Sequence, residues 1–408
     1  MKASSKGIGI GVWIAIIIII AILSAYGGYY SGLHQGFENA KALPPSIEIG
    51  VLISNIAGSE DALRGIQLAT SMINNSGGVS ARNITTIIER TNGDPTLAKS
   101  AATNLVNKGI KVLVGVLSSS EVKAILPLLH ENNVLLVLVS KEVYDDEVYK
   151  DEMVVKFSGS PDSEALAMVN VALSIGTKAA IVAVNDSLGK RVASVISEYY
   201  RSRGGHVVYE VLYDLAPANL TNDLMKIREI EPTVSFLVGY LDDARTILSS
   251  AYRLGLTTKW VLSSTLASEK LLKDEVAHYL EGSYVLARRM AVEGLQLQSF
   301  VDLYNKVYGT MPTEMAAYGF DSLILTALSV AYSGQYSGKS VRAAFNVTGC
   351  FFNGVGGRVI LDSSGNAIQE YAILEVAKTL EDTYRLKIVG YWIPKGASNA
   401  LVIWTTNK

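Results

Sequence analysis

Val112-Leu113-Val114-Gly115-Val116-Leu117 is apolar for the length of a strand and runs into Ser118-Ser119-Ser120-Glu121, three hydroxyls and a carboxylate. Val122 to Leu129 then carries apolar residues at helical spacing. The stretch reads as strand, tight turn, helix. Such a turn sets serine hydroxyls and free backbone N–H groups at the carboxyl end of a parallel strand, where open α/β sheets bind ligands. The partial positive charge of the helix N-terminus favours an anionic group there. Ser118-x-x-Glu121 is equally a capping box, which satisfies the same donors with no ligand. Spacing alone leaves both readings open.

The same order of elements extends in both directions. Upstream, Ile47 to Ile53 reads as a strand, Ala62 to Ile73 as a helix ending at Asn74-Asn75-Ser76-Gly77-Gly78, Ile84 to Glu89 as a strand and Pro95 to Asn107 as a helix. Downstream come a helix over Val122 to Glu131 and a strand over Val134 to Val139. A second series starts after Phe157-Ser158-Gly159-Ser160-Pro161, with strands at Ala179 to Val184, His206 to Val211, Val234 to Val238 and Trp260 to Leu262, and helices between them. This alternation predicts two similar, doubly wound parallel α/β lobes. Beyond Gly282 the order changes: a strand at Tyr284 to Ala287, helices at Leu295 to Tyr308, Glu314 to Tyr332 and Lys339 to Phe345, then strands near Arg358 to Leu361, Tyr371 to Ala377 and Leu386 to Tyr391. Asn353-Gly354-Val355-Gly356-Gly357 precedes a strand rather than opening a helix, so it reads as a bend and not as a phosphate loop.

At 408 residues, 49% hydrophobic and 18% charged, the chain is long enough for two globular domains. Its 36 basic and 38 acidic residues are interspersed, which leaves no basic stripe for nucleic acid. Cys350 is the single cysteine, so neither an intramolecular disulfide nor a thiolate metal cluster can form. The four histidines are scattered without metal-ligand spacing, and no G-x-S-x-G elbow is present. No cofactor, metal site or enzyme activity is expected.

Lys2 and Lys6 precede Gly7 to Ala25, an uncharged stretch that includes Ile16 to Ile20 and is long enough to span a bilayer. Tyr26, Tyr29 and Tyr30 follow at the exit, and the positive-inside rule places the remainder outside the cell membrane, in an extracellular or periplasmic position. The segment is either a single-pass transmembrane helix or a cleaved export signal, the Lys6-Gly7 step resembling a pilin-type processing site. Asn-x-Ser/Thr sequons at Asn74, Asn83, Asn185, Asn219 and Asn346 fit an outward-facing domain.

Six stretches together resemble the extracytoplasmic solute-binding proteins of the leucine/isoleucine/valine-binding type, which feed ABC importers. They are Gly77 to Arg82, Asn92 to Ala98, Gly115 to Ser120, Phe236 to Tyr240, Ala317 to Asp321 and Phe352 to Gly357. The resemblance covers about residues 46 to 390. It implies the type I periplasmic binding protein fold, two Rossmann-like lobes joined by three crossings, with a small-molecule ligand held in the cleft between them and ABC permease subunits as partners. The segments expected on this basis are a membrane anchor or export signal over 1–30, a stalk over 31–45, lobe 1 over 46–156 and 284–353, and lobe 2 over 157–283 and 354–408. The third crossing would fall within Asn353 to Arg358.

The resemblance further implies that Ser119 holds a ligand carboxylate and that Tyr240 lines the cleft from the second lobe. Ser120 belongs to the same turn as Ser119, and Ser54 and Asn55 open a first loop that is shorter than is common in the family. After the fourth strand this chain has Val139-Ser140-Lys141-Glu142, and where the family often has an acid to pair with a ligand ammonium it has Ser263-Ser264-Thr265. Ser140, Glu142 and Thr265 are therefore the candidates for specificity. A ligand ammonium would need Glu142 or another acid, since a buried cation without a partner is costly. A membrane-held sensor using the same cleft, with a separate signalling partner, is the alternative function.

Overall fold

The computed structural model describes residues 43–140, 143, 145–157, 161–216, 220–288, 295–361, 365–394 and 400–405. The expected membrane span Gly7 to Ala25 and the candidate Glu142 lie outside these residues. The chain forms two compact units, Met1–Ser158 with Met290–Ala367 and Gly159–Arg289 with Ile368–Lys408.

The first unit is built on strands β1 (Ile47–Ile53), β2 (Ile84–Arg90), β3 (Val112–Val116), β4 (Leu135–Leu138) and β5 (Val154–Lys156), all parallel, in the order β2-β1-β3-β4-β5. Every residue of β3 is buried, because helices cover both faces of the sheet. Val112, Val114 and Val116 enter one core cluster while Leu113 enters the other. The helix Pro95–Asn107 starts where the sequence predicts, since Asp94 caps it by accepting the Thr96 N–H at 2.7 Å and Pro95 needs no N–H at the first helical position. Other helices begin earlier than their apolar periodicity. Ser59–Asn75 and Ser119–Asn132 each add a polar first turn, which carries no hydrophobic signal even though Ser59 and Glu121 within it are buried.

Helices Leu295–Tyr308, Glu314–Ser333 and Gly338–Phe351 complete this unit. Glu314–Ser333 is long and apolar enough to cross a membrane, yet 78% of its apolar window is buried inside the fold. It packs against Ser59–Asn75 through glycines. A Cβ on Gly65 would lie 2.0 Å from the Ala316 carbonyl oxygen, and one on Gly319 would lie 2.1 Å from that of Ala62. Only backbones without side chains approach so closely.

In the second unit β6 (Lys178–Val184), β7 (His206–Tyr213), β8 (Val234–Val238), β9 (Lys259–Leu262) and β10 (Tyr284–Arg288) form the parallel part of a sheet ordered β10-β9-β8-β6-β7. Tyr371–Lys378, Tyr384–Pro394 and Ala400–Trp404 extend it antiparallel beyond β10. The last of these and β5 go beyond the strands expected from the sequence.

The expected segment boundaries need two corrections. Residues 284–288 belong to the second unit, because β10 pairs with β9 and with Tyr371–Lys378. The third passage between units comes after residue 367, not within Asn353 to Arg358. Residues 354–367 stay in the first unit because Asp321 accepts the N–H groups of Val355 and Gly356 at 2.9 and 2.7 Å, and Gly365 accepts that of Lys156 at 3.2 Å.

Candidate functional site

In each unit the strand order reverses direction once, between β1 and β3 in the first and between β6 and β8 in the second. The carboxyl ends flanking such a reversal form a crevice in which α/β sheets take ligands. The candidate residues fall at these two edges.

At the first edge Ser118, in extended conformation, caps the helix Ser119–Asn132. Its Oγ accepts the Glu121 N–H at 3.4 Å, and Glu121 Oε2 accepts the N–H and hydroxyl of Ser118 at 2.8 and 2.6 Å. The capping box of the sequence is thus formed. Glu121 does more than cap. Its Oε1 accepts the Gly93 N–H at 3.1 Å and the Thr91 hydroxyl, which ties the loop after β2 to the loop after β3. The carboxylate is fully buried, and among the described residues no cation lies within ion-pair distance of it. Burial raises its pKa, but donation from Ser118 and Thr91 outweighs that and leaves the group below the ordinary glutamate value. Ser54 Oγ also favours the carboxylate, without reaching hydrogen-bond geometry.

With Ser118 and Glu121 engaged, Ser119 remains half-buried with no hydrogen-bond partner for its hydroxyl among the described residues. The N–H groups of Ser119 and Ser120 begin the helix and have no intrahelical acceptor. Ser120 is exposed, its hydroxyl 3.2 Å from that of Ser118. Asn55 is exposed beside Gly93, where a Cβ would lie 2.7 Å from Asn55 Oδ1. Ser54 is buried. Ser140 is fully buried and its hydroxyl accepts the Leu117 N–H at 2.6 Å, so it shapes the turn from below instead of presenting a group at the edge. An open depression between Ile56–Gly58 and Thr313–Met315 lies beyond Asn55 and includes none of these candidates.

At the second edge Tyr240 is 40% exposed and donates its hydroxyl to Asp186 Oδ2 at 2.8 Å. Asp186 follows β6 and caps the helix Ser187–Ser202, its Oδ1 accepting the Gly189 N–H at 2.9 Å. Thr265 donates to the Gly239 carbonyl at 2.6 Å and lies 2.7 Å from the Ser263 hydroxyl. Below them is Tyr213, whose hydroxyl occupies the space a Cβ on Gly239 would need, at 1.8 Å. Burial, reinforced by the charges of Asp243 and Asp186, pushes its pKa far up and keeps the phenol neutral.

One residue of this edge has no obvious mark in the sequence. Glu164, in the first turn of the helix Pro161–Leu173, is 2% exposed and its Oε1 accepts the Ser264 N–H at 2.5 Å. Its neighbour Asp162 is held by Arg191 through two contacts of 2.7 and 2.6 Å, whereas no cation among the described residues pairs with Glu164. The structure therefore puts a buried carboxylate beside Ser263-Ser264-Thr265. Glu164 was invisible because a first-turn acid is ordinary helix chemistry. Asp186 was legible in principle, as a strand end followed by an N-cap, the pattern of Ser118.

The sequence matches the family described as periplasmic binding protein over residues 47–381. It is 28% identical over 181 residues, 43% of this chain, to the Leu/Ile/Val-binding protein homolog 3 of Brucella melitensis, and the match spans 48% of that relative, about half its length. The fold is shared with the branched-chain amino acid transporter substrate-binding protein LivJ of Streptococcus pneumoniae, solved in complex with isoleucine, at a TM-score of 0.60 and 20% identity, covering 84% of this chain and 99% of that one. It is shared also with a solute-binding protein of an ABC transporter from Rhodopseudomonas palustris, solved with 3,4-dihydroxybenzoic acid, at a TM-score of 0.61 and 18% identity, covering 85% and 97%. Strand order, switch-point edges and sequence match agree, and the chain belongs to the periplasmic binding protein family.

Proposed function

We propose that this protein is the extracytoplasmic solute-binding component of an ABC importer and that its ligand is a small amino-acid-like molecule carrying a carboxylate. The observation that carries the reading is the division of labour in the turn after β3: Ser118 and Glu121 complete the cap, which leaves the Ser119 hydroxyl and the first helical N–H groups to receive an anion. Isoleucine and dihydroxybenzoate, bound by the two structural relatives, share a carboxylate and little else. Glu164 supports a ligand that also bears an ammonium, since it supplies the acid that Ser263-Ser264-Thr265 lacks. Tyr240 and Thr265 would line the second edge. Isothermal calorimetry against amino acids, their amides and aromatic carboxylates tests the reading. Saturable heat with an amino acid, abolished in its amide, is the expected result, and equal binding of acid and amide would overturn it.

A further inference from the structure

The sequons are chemically alike in sequence but not in the folded chain. Asn74 has no free amide: its Nδ2 donates to the Ile84 carbonyl at 2.9 Å and its Oδ1 accepts the Ile84 N–H at 2.8 Å. Asn185 donates Nδ2 to Asp214 at 2.7 Å. Asn346 is on a helix with Oδ1 held by Arg342 at 2.7 Å, and the hydroxyl of its sequon residue Thr348 is buried, donating to the Ala344 carbonyl at 3.0 Å. Asn219 lies outside the described residues. Asn83 differs from all of these. It is exposed, it makes no side-chain hydrogen bond among the described residues, and its sequon hydroxyl on Thr85 is exposed too, with only the exposed Ser46 hydroxyl at 3.4 Å. Its backbone is pinned, the carbonyl accepting the Ile47 N–H at 3.1 Å, so the side chain projects from a fixed point.

We infer that Asn83 is an N-glycosylation site that takes an oligosaccharide from a lipid-linked donor. In the transfer the Asn83 Nδ2 forms a bond to the anomeric carbon of the first sugar, the bond from that carbon to the lipid phosphate oxygen breaks, the phosphate leaves with the bonding pair, and the one proton given up by Nδ2 balances the negative charge on that phosphate, directly or through water. The position suits a glycan in two ways. Asn83 precedes β2, the edge strand of the five-stranded sheet, whose row of unpaired backbone groups and half-exposed Ile88 would otherwise be open to pairing with another chain. It also lies at the amino end of β2, and a seven-residue strand separates it by about 20 Å from the carboxyl edge at Thr91 to Gly93.

The inference rests on the reading that this domain faces outward, and the test separates the two. Protein isolated from the membranes of its own cells is digested, and the peptide containing Asn83 is weighed, after intact cells have been labelled with a membrane-impermeant amine reagent. A glycan mass on Asn83 and none on Asn74 or Asn346 is expected. Asn83→Gln and Thr85→Ala should each remove one glycan from the intact mass, with melting curves confirming that both variants fold. Surface-labelled protein with an unmodified Asn83 peptide overturns this inference alone. Protein that is not labelled on intact cells overturns the outward-facing reading and this one with it.

Discussion

The carboxylate of Glu164 lies 2.5 Å from the backbone N–H of Ser264, a residue 100 positions further along the chain. That bond uses one of its two oxygens and leaves the charge without a cationic partner among the described residues. Glu164→Gln preserves an acceptor for Ser264 and removes the charge. Loss of a charged hydrogen bond of about 1.5–3 kcal/mol corresponds to roughly 10- to 150-fold in Kd for an amino acid. A ligand that lacks the ammonium should bind the variant no worse than the wild type. Calorimetry with both ligand types reads the difference, and unchanged amino-acid affinity would remove Glu164 from the site.

Ser118 and Ser119 are adjacent yet should respond oppositely. Ser118→Ala removes the cap and one donor to Glu121, so stability falls by about 1 kcal/mol or somewhat more. Ser119→Ala touches no hydrogen bond among the described residues and should leave the melting temperature in place while weakening ligand binding about 10-fold or more. A lowered melting temperature with wild-type affinity in Ser119→Ala would show a purely structural residue.

Asp321 sets a pH dependence. Burial raises its carboxyl, against donation from Gly356 and Val355, from 3.8 to about 7. The folded state therefore holds a proton that the unfolded state releases near pH 4. This contribution is fully present below that pH and is lost as pH rises to about 7, a change of roughly 3–5 kcal/mol. Denaturant unfolding between pH 4 and 7.5 should show wild-type stability falling relative to Asp321→Asn, whose side chain does not titrate. Parallel pH profiles would mean that the carboxyl is ionised throughout.

The glycine contact between Ser59–Asn75 and Glu314–Ser333 leaves no room for a methyl group. Gly319→Ala should destabilise by about 1–3 kcal/mol through forced separation of the helices, although alanine is the better helix former. Gly204→Ala is a useful comparison, since nothing lies within 4 Å of its Cβ position and its φ of +84° makes the penalty one of backbone conformation. Thermal melts in which Gly319→Ala matches the wild type would mean that the helices separate without loss.

Local chemistry sufficed for much of this chain. Val112–Val116, Val234–Val238, Pro95–Asn107 and Leu295–Tyr308 have the bounds that apolar runs and helical periodicity predict. The cap formed by Ser118 and Glu121 was written in their three-residue spacing. Which serine is left over was not, because only the formed hydrogen bonds show that Ser118 is used and Ser119 is not. Tertiary structure alone joined Glu121 to Thr91 and Gly93, Glu164 to Ser264, and Asp321 to Val355 and Gly356. It also kept residues 354–367 in the first unit, where the family resemblance implied a passage within Asn353 to Arg358. The physical reason is common to all of them. Periodicity and capping act over a few residues and leave a pattern in the sequence, whereas a buried carboxylate takes whatever N–H or hydroxyl the packed chain brings to it, and that partner lies tens of residues away with no spacing to announce it.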